Sequence, residues 1–93
     1  MTLLSLHSAG DIQRELADFV RARRKALKWT RDVLAERSTV PAPTIKRFEL
    51  TGEISLRQLL LLWQCVDDLE RMAALCKPAM VNKPASIAEV LNS

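Results

Sequence analysis

The chain has 93 residues, enough for one domain with a modest core. Apolar residues make up 48% of it, which argues against wholesale disorder, and two glycines with no β-branched alternation argue for an all-α fold. A formal net charge of +3 is compatible with a nucleic-acid partner and does not by itself establish one.

Residues 1–10 read as a flexible N-terminal arm, with no charged n-region and apolar h-region that would make a signal peptide. His7, the single histidine, has no companion at ligand spacing, so no metal is expected. Ser8 or Gly10 starts a first helix over 11–28, with Asp11 in its first turn. Its inward stripe is Leu16, Val20 and Leu27, flanked by Ile12 and Phe19. Arg24 falls on that stripe and needs a carboxylate partner, because an unpaired buried charge is costly. Arg21, Arg23, Arg24, Lys25, Lys28 and Arg31 fall within eleven positions. Taken alone, that cluster is a solvated helix face.

Trp29 is expected to pack across the start of a second helix, capped by Thr30 and reaching Ser38. Thr39 and Val40 make a turn. Pro41 and Pro43 frame the start of a third helix, where a proline removes no intrahelical bond. Gly52 stops it after Leu50. Leu34 and Ala35 on the second helix, Ile45 and Phe48 on the third, and Val40 after the turn have the spacing at which two short helices bury one another's apolar face.

Ser55 and Gln58 form a capping box for a fourth helix over 55–66. The run 59–63 is the longest apolar stretch, far too short to span a membrane. It wraps more than one turn, so it cannot all face one small core. Leu61, Leu62 and Trp63 are therefore expected on a dimer or partner surface. Asp67 and Asp68 open a fifth helix with Leu69, Met72 and Leu75 inward. Residues 77–93 read as a linker and a short C-terminal segment. There Ser86 and Glu89 cap a helix, or a strand forms, around Ile87, Val90 and Leu91. Cys65 and Cys76 lack a CxxC spacing and read as reduced, buried thiols of a cytoplasmic protein.

The ordered set Arg24, T-R-x-x-L-A at 30–35, V-x-x-x-T-I-x-R-F-E at 40–49, a glycine, and S-L-x-x-L at 55–59 resembles the Xre/Cro/cI helix-turn-helix family. The resemblance covers about residues 11–75. It implies a five-helix, lambda-repressor-like DNA-binding domain over 11–76 that binds double-stranded operator DNA as a homodimer. It also implies that Arg24 pairs with Glu49 and that the third helix is the recognition helix. Base-facing positions fall on Pro41, Ala42, Pro43 and Arg47, with Thr44 on the same helix. Arg31 and Lys46 take phosphates, and Arg47 can bind a guanine edge bidentately. Thr39 stands where the family has a turn glycine, although a β-branched residue is poorly suited to positive φ. Pro41 stands where it has a polar cap. With few hydrogen-bonding groups facing the bases, specificity rests on Arg47, phosphate contacts and DNA shape.

The sequence holds no nucleophile–base constellation, phosphate loop or metal cluster, so neither an enzyme nor a cofactor is expected. The short C-terminal extension makes the chain similar to the HipB-like antitoxins. They repress their own operon and bind a HipA-like kinase toxin, and such a nucleoid-associated repressor is the first expectation. A stand-alone Xre-type regulator is the second. An interaction module that has lost DNA binding is the third.

Overall fold

Polar residues at the right offsets start most of the helices. In the computed structural model, which describes residues 7–79, Ser8 Oγ accepts from the Asp11 amide at 3.0 Å and Asp11 Oδ2 accepts from the Ser8 amide at 3.1 Å. This reciprocal cap starts α1 (Ala9–Ala26) two residues before Asp11. Thr30 caps α2 (Arg31–Ser38), and Ser55 caps α4 (Leu56–Val66). Gln58 returns to the Ser55 hydroxyl rather than to its amide. Asp68 caps the short α5 (Leu69–Ala73), which a 3₁₀ turn, Ala74–Cys76, continues. Among the described α-helices, α3 (Ala42–Thr51) alone starts without a side-chain cap, behind Pro41 and with Pro43 in its first turn. No strand occurs among the described residues, and the fold is all-α.

Three helices end on a left-handed residue. Lys28 (φ 62) closes α1: its amide donates to Lys25 O and that of Trp29 to Arg24 O, which satisfies two carbonyls the helix leaves open. The helix therefore stops short of 28, and Leu27, on its last cap, leaves the inward stripe and is exposed. Gly52 (φ 81) closes α3, its amide donating to Phe48 O at 2.7 Å. A Cβ there would lie 3.2 Å from the Gln13 backbone, so glycine also permits α1 and α3 to approach.

Thr39 closes α2 at φ 66, ψ 8, where glycine would be unstrained. Its amide donates to Ala35 O, and the turn lets Val40 reach the core at 1% exposure. Strain at one such residue is about 1–3 kcal/mol. Thr39→Gly should therefore stabilise the domain by ~1 kcal/mol after glycine's extra unfolded-state entropy, about 4–8 °C in Tm. A lower Tm by calorimetry would show that the threonine side chain contributes more than its backbone strain removes.

The core is built from Ala17 and Val20 of α1, Leu34 of α2, Val40, Ile45 and Phe48 of α3, and Leu59, Leu62, Trp63 and Val66 of α4. The inward phase of α1 is Ala17, Val20 and Arg24, with Gln13 one turn earlier against Gly52. Leu16 and Phe19 flank that phase, half-buried. Ile12, one position off it, is 42% exposed, contrary to expectation. Leu69 and Leu75 are also exposed, because α5 lasts only five residues and buries none of them fully; Met72 alone packs against the core. The expected capping box at Ser86 and Glu89, with Ile87, Val90 and Leu91, lies outside the described residues. No helix among the described residues is long and apolar enough to cross a membrane.

Candidate nucleic-acid interface

Helix α3 has two unlike faces. Ile45, Phe48 and Glu49 point inward, where α1 and α2 pack on it. Pro41, Pro43, Lys46, Arg47 and Leu50 are exposed, and Ala42 and Thr44 are half-buried. The 3.6-residue period forces this split once Ile45 and Phe48 are in the core.

The orientation of α3 is fixed by one buried carboxylate. Glu49 Oε2 accepts from Arg24 Nε at 2.8 Å, and Oε1 accepts from Arg24 Nη2 at 3.1 Å and from Arg31 Nε at 2.9 Å. Arg21 Nε lies 3.9 Å away. The Glu49 side chain is 1% exposed. Burial pushes its pKa up, but the hydrogen bonds and charge of Arg24 and Arg31 outweigh this and hold it below the usual glutamate value. Arg24 Nη1 donates to Trp29 O, so its fork joins α1, α3 and the link to α2. Arg14 donates to Glu49 O and Leu50 O, and Gln13 to Gly52 O, satisfying carbonyls at the end of α3.

The structure thus contains the Arg24–Glu49 pair that the resemblance implies, and adds Arg31 to it. Arg31 is a correction to a purely phosphate-facing role: its Nε is committed to Glu49, and its side chain is only 35% exposed. The rest of it lines a shallow groove between the starts of α2 and α3, with Thr30, Asp32, Ala42, Pro43 and Lys46. Lys46 is exposed at that rim and unpaired among the described residues. Arg47, 70% exposed, donates from Nη2 to Glu53 Oε1 at 2.6 Å. Trp29 packs against the core and carries Arg37 over its ring at 4.5 Å.

Leu62 and Trp63 do not form a partner surface. They are 0% and 5% exposed, because α4 packs against both α1 and α2. The Phe19 ring stacks on Trp63 at 4.9 Å, and Trp63 Nε1 donates to Asp68 O. The leucine run divides by phase: Leu59 and Leu62 point inward, Leu60 and Leu61 are half-buried, and Leu56 is 71% exposed. Leu56, Leu60, Leu61 and Leu69, rimmed by Arg57 and Gln64, line an open apolar groove. Of the three residues expected on a partner surface, Leu61 alone lines this groove.

Among the described residues no cluster of histidine, cysteine and carboxylate side chains could hold a metal. No protein-family model, no curated protein and no solved structure matches the chain.

Proposed function

We propose that the chain is a DNA-binding transcriptional repressor that lays α3 in the major groove of double-stranded DNA. One observation carries this reading: α3 is held rigidly by its inward face while Pro43, Lys46 and Arg47 stand on its free face. A major groove admits one α-helix, and affinity comes from cations placed on phosphates at its rims. Lys46 and the exposed part of Arg31 lie at one rim, at the start of α2. Arg47 lies on the opposite side, toward α4, beside Thr44. The apolar groove of Leu56, Leu60, Leu61 and Leu69 is the surface for a second copy, which would place two recognition helices on half-sites ~34 Å apart.

Duplexes enriched from a randomised pool, and scrambled controls, titrated at several salt concentrations test this. Arg47→Ala should cost ~1–3 kcal/mol on the enriched duplex and less on the control. Lys46→Ala should weaken both alike and reduce the salt slope by ~1. Lys46 is the better phosphate probe than Arg31, whose truncation also disturbs Glu49. Binding that ignores salt, or no enrichment at all, would defeat the proposal.

A further inference from the structure

We infer that Glu53 is a specificity-determining positioning residue, which aims Arg47 at a base edge and keeps it from settling on phosphate. The inference rests on the DNA-binding reading above and deepens it.

An exposed ion pair usually contributes little, because both side chains must be ordered to form it. The Arg47–Glu53 pair differs because its backbone is already ordered. Thr51 Oγ1 donates to Arg47 O at 2.7 Å and accepts from the Glu53 amide at 3.1 Å. One hydroxyl therefore ties residue 53 to the turn of α3 that carries Arg47. Between them Gly52 is buried and left-handed, with its Cβ space occupied by Gln13, so this tie rests on α1 as well. The 2.6 Å side-chain bond closes a second link between the same two residues. Both then line one groove between α3 and the start of α4, beside Thr44 and Ser55.

The chemistry follows from the guanidinium. Glu53 uses one hydrogen of Nη2. The other Nη2 hydrogen and those of Nη1 and Nε have no partner among the described residues. Two coplanar donors are what guanine O6 and N7 require. A carboxylate beside the arginine also repels a phosphate that approaches the same fork. Moving Arg47 onto the backbone would separate it from Glu53. Glu53 therefore lowers affinity for DNA in general and raises discrimination among sequences.

The full chain and its Glu53→Gln variant, each used to select from a randomised duplex pool, give the test. Glu53 is exposed, so the variant should melt as the wild type does. Glu53→Gln should bind the unselected pool more tightly, with a steeper salt slope. Discrimination between the wild-type-selected duplex and the pool should fall by about 5- to 150-fold, the range one bidentate base contact covers. The guanine preference at one position of each half-site should flatten. In an Arg47→Ala background the same substitution should leave discrimination unchanged, since the two act as a unit. Equal shifts on both DNAs, or unchanged discrimination with intact Arg47, overturn the inference while the wild type still selects sequences. A wild type that enriches nothing overturns the DNA-binding reading, and this inference with it.

Discussion

Glu49→Ala should remove a large part of the domain's stability, about 3–5 kcal/mol of a total that is typically ~5–15. The loss comes less from the bonds themselves than from what remains. Arg24 is 9% exposed in its side chain, and without Glu49 its guanidinium keeps only the Trp29 carbonyl. Arg31 and Arg21 then face it with no anion between them. For a domain of this size the midpoint should drop by more than ~10 °C. An unchanged Tm would show that the buried carboxylate is dispensable. The pH dependence has a defined sign. Because Glu49 is held below its unfolded value, its contribution is complete above ~4.3 and is lost as pH falls through the lowered folded pKa. Asp11 and Asp67 are also lowered, so both proteins will lose stability in acid. The difference between wild type and Glu49→Gln should shrink as pH falls, and only that difference reports Glu49.

Trp63→Ala should cost about 3–5 kcal/mol of stability, whatever it does to association. The side chain stacks on Phe19, donates to Asp68 O and carries Arg71 at 5.7 Å from its ring. Removing it opens a cavity between α1, α4 and α5. Leu56→Glu should do the reverse. Leu56 is 71% exposed at the first position of α4, where a carboxylate suits the free amides, so the fold should hold. A charge on the apolar groove should convert the proposed dimer to a monomer in sedimentation at micromolar concentration. If Trp63→Ala melts like the wild type but sediments as a monomer, the tryptophan belongs to an interface instead of the core.

What could be read from the sequence was what depends on local chemistry. Thr30, Ser55, Asp68 and Gly52 bound their helices because caps and left-handed stops act within four residues. That Arg24 needs an acid was legible because an arginine on an apolar stripe demands one; that the acid is Glu49 came only from the resemblance. The phase of α4 was not legible. A continuous leucine run offers several faces, and only the positions of α1 and α2 choose Leu59, Leu62, Trp63 and Val66. The end of α1 was missed because lysine is an unusual left-handed stop. Arg31 joining Glu49 was missed too, although the surplus of arginines around a single inward carboxylate was a usable signal.

The network around Glu49 also sets which parts of the molecule can open independently. Glu49 lies on α3 and its arginine partners on α1 and α2, so none of these helices can detach without stranding a buried charge. Their amides should exchange with solvent as one cooperative block, and a peptide cut to α2 and α3 would keep Arg31 beside Glu49 but lose Arg21 and Arg24. Helix α5, with no fully buried residue, sits outside that block. Helix α5 can therefore be remodelled at little cost while α1, α2 and α3 keep their arrangement.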